Sequence, residues 1–499
     1  MSSLEDIRNE IDSIDSEIAE LFEKRMNAVK AVSEEKGLSG LPVKDQKRED
    51  EVINKHINSL PEELQPFYRQ FMDNVFNVSR NYQKSLTGNY DELINNNSDG
   101  STFIVKAFSA TQAAKKSLQS DPATVNGTVG SYYREDGTLL AFNTVYEAFD
   151  RVPDNRKAGY ASRIEGNDNF NEAVFNWINR LDNIHIPHKS VASAGGTGAI
   201  SMPIANCVNR GESLLIPEIA WGSYKTIAAQ FGAKLEHYKL LDNDDVSLDD
   251  LKKKSIEIMN REHKLVVVIN DPCQNPTGIS YTYSQWEEII AFYNSLAEKG
   301  PVMIINDIAY FDFCNDYEHS TNYMGTFNDI NDNVTIVIAF SCSKSLTAYG
   351  MRLGDSIILC KNEKRLDMLF NAFVRSARSW WSNANNGLMD TFVEVMNHQE
   401  EYIAEKDEAI KLLNKRAELF LKQAKECGLP VYPYKEGFFV TVKVEDNETL
   451  NKYDEELHKI DIFGVPFNKG LRIAICGIPL QKIDGLAYKL KEVLDDVSK

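Results

Sequence analysis

The stretch VTIVIAFSCSKSLTAYGMR, residues 334–352, joins an unbroken apolar run to a polar segment that contains one lysine, Lys344. An apolar run without alternation is typical of a strand that is buried on both faces of a parallel sheet. Three similar runs are SLLIP (213–217), LVVVIN (265–270) and PVMIIN (301–306), and helical stretches such as YSQWEEIIAFYNSLAEKG (283–300) lie among them. This alternation predicts an α/β fold around a mostly parallel sheet.

Four polar or glycine-rich motifs stand where strands of this sheet end. They are SAGGTGAI (193–200), NDPCQNPTG (270–278), NDIAY (306–310) and SCSKSLTAYGMR (341–352). Open α/β sheets bind their ligands at the carboxyl ends of the strands, so we expect these motifs to converge. A glycine-rich turn that opens a helix also presents backbone N–H groups to a phosphate. Each motif alone is weak, and the four together are specific.

Together they resemble the fold type I aminotransferases of the aspartate and aromatic kind, over about residues 102–499. The resemblance implies a large domain of about 150–380, a smaller α/β domain of about 102–149 plus 381–499, and pyridoxal 5'-phosphate (PLP) as cofactor. Lys344 would carry the cofactor and, once freed, move the proton at the substrate Cα. Asp307 would pair with the pyridine nitrogen, and Tyr310 and Asn275 would contact the phenolic oxygen.

The same resemblance implies further contacts. The phosphate would be cradled by Gly196, Thr197, Ser341, Ser343 and Arg352, with Trp221 stacked on the ring and Tyr160 reaching the phosphate of a partner subunit. Arg472, in KGLRIAICG, would clamp the substrate α-carboxylate with help from the N–H of Gly130. Arg378, in RSARSWWSN, would bind a side-chain carboxylate across a dimer, although its motif ends in N-A where the family has N-P.

The N-terminal part follows a helical pattern instead. An apolar seam with spacings of three and four consists of Leu4, Ile7, Ile11, Ile14, Ile18 and Leu21; Arg25 interrupts it before Ala28 and Val32. A helix over 3 to about 36 is about 50 Å long, so it needs a partner, most simply a second copy. Gly37, Gly40 and Pro42 should break it. Two more helices are predicted, from Asp45 to Asn58 and from Pro61 or Glu62 to about Lys84, and the polar residues 87–101 form a linker.

Polar residues cluster on these helices. Lys36 lies about 20° from Arg25 around the axis. Asp45, Arg48 and Glu49 follow the break, and Ser79 and Gln83 share a face of the third helix. The net charge is −19, so an anion site must concentrate positive charge locally. These residues predict a small pocket for a compact dicarboxylate.

Residues 4–84 resemble the all-helical chorismate mutases, and the resemblance is carried by Arg8, Arg25, Lys36, Asp45, Arg48, Glu49, Ser79 and Gln83. It implies an interlocked dimer in which Arg8 reaches the partner's pocket, and it assigns residues 1–86 to a mutase domain. Arg8, Arg25 and Arg48 would hold carboxylates, Lys36 and Gln83 would donate to the breaking ether oxygen, and Glu49 would accept the substrate hydroxyl.

The sequence therefore predicts a homodimeric, bifunctional enzyme of aromatic amino acid biosynthesis, which converts chorismate to prephenate and transfers an amino group from glutamate or aspartate to an aromatic keto acid. Three alternatives stay open: a prephenate aminotransferase that makes arogenate, a regulatory mutase-like domain without catalysis, and a fold type I decarboxylase or eliminase. Nucleic acid is disfavoured by the acidic charge, and a membrane span by the lack of a long apolar run. Seven scattered cysteines and a charged N-terminus favour a cytosolic protein, and no metal site is predicted.

Overall fold

The N-terminal unit, Met1–Thr102, is followed by a second unit, Phe103–Lys499. The structure is a computed structural model that describes residues 3–39, 45–87 and 106–499. The described part of the first unit comprises α1 (Leu4–Ser39), α2 (Gln46–Ile57), a 3₁₀ turn (Glu62–Leu64) and α3 (Gln65–Thr87). The predicted all-α character of this unit is confirmed. The predicted linker, residues 87–101, lies outside the described residues except for Thr87.

Helix α1 continues through Gly37 to Ser39, three residues beyond its predicted end at about residue 36. One glycine in a helix costs about 1 kcal/mol, which does not end a helix of this length. Gly40 and Pro42 lie outside the described residues.

The packing of α1 also differs from the predicted seam. Helices α1 and α2 both pack on α3, and α1 buries Met26, Val29 and Ser33. Val32, predicted to continue the seam, is 46% exposed. The buried stripe is rotated from the predicted one because α3 lies to one side of Arg25.

The N-terminal half of α1 keeps its apolar seam uncovered within one chain. Leu4, Ile7, Ile11, Ile14, Ile18 and Leu21 are between 42% and 65% exposed. A second exposed apolar stripe runs along α3 and contains Phe67, Phe71 and Val78. The first unit therefore presents two long apolar faces that a single chain leaves in water.

The described residues 106–499 form the predicted α/β unit. Its strands are β1 (Val125–Asn126), β2 (His188–Ser193), β3 (Ser213–Pro217), β4 (Lys234–Tyr238), β5 (Leu241–Asp242), β6 (Asp245–Val246), β7 (Leu265–Asn270), β8 (Val302–Asp307), β9 (Val334–Ser341), β10 (Gly354–Leu359), β11 (Phe439–Lys443), β12 (Ile462–Phe463), β13 (Val465–Phe467) and β14 (Gly470–Ala474). The four apolar runs quoted from the sequence are β3, β7, β8 and β9, which confirms them as buried strands.

The main sheet of this part of the chain has the order β2-β10-β9-β8-β7-β3-β4. Neighbours from β9 to β4 pair in parallel, whereas β10 is antiparallel to both β9 and β2. The predicted mostly parallel sheet is thereby confirmed. In register, Asn270 lies beside Asp307 and Asp307 beside Ala339, so the motifs that follow these strands meet at one edge.

Besides its strands, this part of the chain contains α-helices, several of which cover the two faces of the main sheet. They are α4 (Lys106–Ser120), α5 (Asn143–Arg151), α6 (Asp154–Ala158), α7 (Asp168–Ile178), α8 (Gly195–Cys207), α9 (Ser223–Phe231), α10 (Asp249–Glu262), α11 (Tyr283–Leu296), α12 (Tyr317–Thr321), α13 (Cys342–Ser345), α14 (Glu363–Trp380), α15 (Asn386–Asn397), α16 (Gln399–Cys427), α17 (Asn447–Lys459), α18 (Leu480–Ile483) and α19 (Leu486–Val497). Helices α8, α9 and α14 contribute to the core on one face; α7, α10, α11 and α15 contribute to the core on the other.

A smaller antiparallel sheet, β11-β14-β13, stands with α16, α17 and α19 beyond the main sheet. Arg472 lies on β14, paired with Thr441 of β11. The described part of the chain contains no helix with the length and apolarity of a membrane span.

Candidate active sites

Lys344 lies in the short helix α13, directly after β9. Its Nζ donates a 2.7 Å hydrogen bond to the carbonyl oxygen of Gly130 and lies 5.4 Å from the ring centroid of Tyr310. The pKa of Lys344 is lowered from 10.5 to about 8, chiefly by burial, with smaller lowering contributions from the guanidinium groups of Arg472 and Arg352. A neutral amine is a nucleophile and a base, so this site favours the reactive form of the lysine.

Asp307 ends β8 and is 4% exposed. The hydroxyl of Tyr224 donates to its Oδ2 at 2.5 Å, and the N–H of Ala309 donates to its Oδ1 at 3.1 Å. The pKa of Asp307 is raised from 3.8 to about 6, because the effect of burial exceeds that of these two donors, which lower it. The carboxylate is thus held charged near neutral pH, which suits a partner for a protonated ring nitrogen.

Asn275 connects Tyr310 to Arg472. Its Nδ2 donates to the Tyr310 hydroxyl at 3.5 Å, and its Oδ1 accepts a 3.1 Å hydrogen bond from Nη1 of Arg472. Nη2 of Arg472 donates to the carbonyl oxygen of Thr128 at 2.9 Å. Three residues predicted from distant motifs, Asn275, Tyr310 and Arg472, are therefore joined by hydrogen bonds, and Lys344 lies beside them, 5.4 Å from the ring centroid of Tyr310.

Arg472 is 9% exposed and lies 4.4 Å from the ring centroid of Phe439. Its Nε is buried without a hydrogen-bond partner, and burial lowers the pKa of the guanidinium. No carboxylate of the described residues forms an ion pair with it. A buried cation in this state favours binding of a carboxylate ligand.

The first residues of α8 lie against the guanidinium of Arg352. Gly195 has φ +74°, and a Cβ there would collide with the Arg352 guanidinium; a Cβ on Gly196 would stand 3.0 Å from Cβ of Ser341. Nη1 of Arg352 donates to the Ser343 hydroxyl at 2.9 Å. The N-terminus of a 13-residue helix, two hydroxyls and a guanidinium are a donor set that fits a phosphate group.

Four other predicted residues lie apart from this network. Trp221 is partly buried and meets the Tyr224 ring edge-on, with centroids 5.4 Å apart. Thr197 is exposed at the start of α8, and Tyr160 is 87% exposed. Arg378 is exposed at the end of α14 and donates to the Ser382 hydroxyl. The structure does not bring Tyr160 or Arg378 into the Lys344 network of one chain.

In the N-terminal unit, Arg25 is half-buried between α1 and α3. Its Nη1 donates to the Ser79 hydroxyl, and its guanidinium lies 5.8 Å from the ring centroid of Phe76. Burial lowers the pKa of Arg25. No carboxylate of the described residues forms an ion pair with Arg25. Arg25, which interrupts the seam, is thus hydrogen-bonded to a neutral hydroxyl. Its positive charge can therefore attract an anionic ligand.

The other predicted residues of this unit lie on α1, at the start of α2 and on α3. Ser33, one turn before Lys36, donates to the backbone carbonyl of Gln83 at 3.5 Å. Asp45 caps α2 by accepting from the N–H of Arg48 at 3.0 Å, and the Arg48 side chain pairs with Glu51 at the surface.

Arg8 is exposed, 17 residues and about 25 Å along the axis from Arg25. It therefore cannot reach the Arg25 cluster of its own chain.

Sequence reasoning missed several residues at these sites. Tyr224 stands three residues after the predicted Trp221, and Gly195 precedes the predicted Gly196. Arg80, beside Ser79, forms an ion pair with Glu49. Their only signal in the sequence is that each lies close to a predicted residue. Their contacts, with Asp307, Arg352 and Glu49, join residues more than 30 positions apart.

Comparison with known proteins finds a family for each of the two units. The sequence profile of the family described as "Aminotransferase class I and II" matches residues 125–490, and that of "Chorismate mutase type II" matches residues 7–84. An aspartate aminotransferase of Haemophilus influenzae is 24% identical over 312 residues, which are 61% of this chain and 77% of that protein. An aromatic-amino-acid aminotransferase of Paracoccus denitrificans is 24% identical over 256 residues, 51% of this chain and 63% of that protein.

Solved structures show the same fold. An aminotransferase from Anaerococcus prevotii has a TM-score of 0.78 at 26% identity and covers 82% of this chain and 100% of its own. An aromatic-amino-acid aminotransferase from Burkholderia pseudomallei, described as covalently bound to pyridoxal phosphate, has a TM-score of 0.65 at 19% identity over 79% of this chain and 98% of its own. The chain therefore belongs to the PLP-dependent class I and II aminotransferases, and its residues 7–84 carry a chorismate mutase type II domain.

Proposed function

We propose that the chain is a bifunctional enzyme of aromatic amino acid biosynthesis. Residues 1–86 convert chorismate to prephenate, and residues 102–499 transfer an amino group from glutamate or aspartate to an aromatic keto acid such as phenylpyruvate or 4-hydroxyphenylpyruvate. The observation that supports this most directly is that each unit holds a shielded guanidinium, Arg25 or Arg472, without an acidic partner among the described residues. The substrates of both reactions carry carboxylates, which would be the negatively charged partners of these two guanidinium groups.

The mutase reaction is unimolecular, so the protein needs no nucleophile or general base. Catalysis consists of holding the dianion in its compact conformer and stabilising charge on the ether oxygen. Arg25 and Arg48 hold carboxylates, with Ser79 orienting Arg25 and Asp45 placing the start of α2. Lys36 and Gln83 donate to the ether oxygen, and Glu49 accepts the substrate hydroxyl.

In the second unit, PLP supplies an electron sink for the substrate Cα. The chain would hold its phosphate with Gly196, Thr197, Ser341, Ser343 and Arg352, and its ring with Trp221, Asp307, Tyr310 and Asn275. Lys344 carries the group and moves the proton at the substrate Cα, a role suited to an amine whose pKa is about 8. Arg472 and the N–H of Gly130 orient the α-carboxylate.

We also propose that two copies form an interlocked dimer in the cytosol. The exposed apolar seam of α1 in one copy would pack against the exposed apolar stripe of α3 in the other copy. This packing would remove both apolar faces from water. Arg8, too far from its own cluster, would then enter the partner's pocket. Tyr160 and Arg378, both exposed in one chain, would serve the second unit of the partner in the same way.

Two assays on the full chain test this function. The first follows chorismate loss and prephenate formation for the wild type and for Arg25→Ala. The second follows amino transfer from glutamate to a panel of phenylpyruvate, 4-hydroxyphenylpyruvate and prephenate, for the wild type and for Lys344→Ala. We expect each variant to lose one activity and keep the other, because the two sites lie in separate units.

The outcomes separate the candidates. A clear preference for prephenate as the amino acceptor would mean that the second unit forms arogenate and that the proposed aromatic keto acids are not its substrates. A wild type that leaves chorismate unchanged would make the first unit a regulatory module, and release of carbon dioxide without amino transfer would indicate a decarboxylase.

A further inference from the structure

Arg80 and Glu49 form an ion pair between α3 and α2. Nη1 of Arg80 contacts Oε1 of Glu49, and the two side chains are 21% and 17% exposed. Most exposed ion pairs contribute less than about 1 kcal/mol because water and salt screen them. This pair is largely shielded, so its geometry is held more firmly than that of the surface pair between Arg48 and Glu51.

The pair lies beside the Arg25 cluster. Successive residues of a helix point about 100° apart, so Ser79 faces Arg25 on α1 while Arg80 faces Glu49 on α2. Ser79 and Arg80 are consecutive on α3. Ser79 therefore holds the cation Arg25 on one side, and Arg80 holds the acid Glu49 on the other; the proposed mutase site needs both. The contact engages Oε1 of Glu49, and within the described residues Oε2 remains available to accept from a ligand.

We propose that Arg80 is a positioning residue of the chorismate site, which holds Glu49 so that its Oε2 accepts the substrate hydroxyl. The inference rests on the proposed mutase function. A carboxylate on a flexible side chain samples several rotamers, and an ion pair at one oxygen restricts it before the substrate arrives. Arg80 acts through Glu49 and makes no contact with the substrate.

A double-mutant cycle on the full chain tests this role. The four proteins are the wild type, Arg80→Gln, Glu49→Gln and the double variant, and each is assayed for kcat and KM with chorismate. We expect Arg80→Gln to lower kcat/KM about tenfold, equivalent to about 1.4 kcal/mol, with most of the loss in kcat. In the Glu49→Gln background the same change should cost less than about twofold, because the residue it positions is already altered.

Two further variants define the cause. Arg80→Lys keeps the charge and should recover part of the lost kcat. Arg69→Gln is the matched control: Arg69 lies on α3 eleven residues earlier, about 16 Å along the axis and 20° around it, and should behave as the wild type. If Glu49→Gln turns over too slowly, the cycle is measured as the Kd of prephenate by calorimetry.

Three results would overturn the inference. Losses that multiply in the double variant would mean that Arg80 binds the substrate itself. A lower melting temperature for Arg80→Gln with kcat/KM unchanged would mean that the pair only joins two helices. A wild type without mutase activity would overturn the proposed function and this inference with it, whereas the first two results leave the proposed function standing.

Discussion

The hydroxyl of Tyr224 donates a 2.5 Å hydrogen bond to Oδ2 of Asp307, and both side chains are almost completely buried. The two residues are 83 positions apart, on the N-terminal turns of α9 and at the end of β8. Burial raises the pKa of Asp307 and this donor lowers it, so the charge of the carboxylate depends on the phenol. Burial also raises the pKa of Tyr224, which keeps its proton available for donation.

Replacing Tyr224 with Phe should raise the pKa of Asp307 above its present value of about 6, because the carboxylate loses one of its two donors. The measurement is an infrared titration of the protonated carboxyl band in the apoprotein, assigned with Asp307→Asn. Tyr293→Phe is the control, since this fully buried phenol faces Ser255 at 3.2 Å instead. An unchanged midpoint in Tyr224→Phe would refute the coupling. Amino transfer at neutral pH should fall about tenfold.

Lys344 should react with an amine-modifying reagent in the apoprotein along a curve that rises through about pH 8. Its lowered pKa makes the neutral amine abundant more than two pH units below the ordinary value of 10.5. Mass spectrometry of a digest compares its labelling rate with that of the exposed Lys364 across the pH range. If both lysines follow one curve, burial does not activate Lys344.

Asp355→Asn should stabilise the apoprotein at pH 7 by on the order of 1–3 kcal/mol. Asp355 is fully buried on β10, and burial raises its pKa from 3.8 to about 8. Between these values the unfolded chain releases a proton that the folded chain keeps, so the free energy of unfolding falls as pH rises through this window. Asparagine does not ionise, so the variant does not lose free energy of unfolding as the pH rises through this window.

The advantage of Asp355→Asn should therefore shrink as the pH falls towards 3.8, the value below which the unfolded chain also mostly holds the proton. Melting temperatures at pH 4.5 and 7.5 check this, with Asp329→Asn at an exposed position as control. A stabilisation that is the same at both pH values would show that ionisation of Asp355 is not its cause.

Mixing Arg8→Ala with Arg25→Ala should restore mutase activity that neither variant has alone. In an interlocked dimer half of the randomly mixed dimers are heterodimers, and each contains one pocket with both arginines, so about a quarter of wild-type activity should return. The assay follows chorismate loss after the two proteins are unfolded and refolded together. Activity that stays at the level of the separate variants would place Arg8 outside the partner's pocket.

Much of the fold was predictable from local pattern. The runs 213–217, 265–270 and 334–340 are buried strands, and apart from Asn270 every residue in them is apolar or small, a pattern typical of a sheet covered on both faces. Their shared direction then predicts that Asn275, Asp307 and Lys344 lie near one edge of the sheet. The helical spacing of the first 36 residues was equally readable, although the helix continues three residues further, to Ser39.

The sequence by itself thus determined the element types, the two-part organisation and the candidate residues of each site, since periodicity and strand-end position are local properties of the chain. Only the tertiary structure decided which side of α1 is buried, that Arg25 meets a hydroxyl instead of an acid, and that Tyr224 and Arg80 support Asp307 and Glu49. These contacts join residues 31 to 83 positions apart, and they depend on how helices and strands rotate when they pack, which no local pattern records.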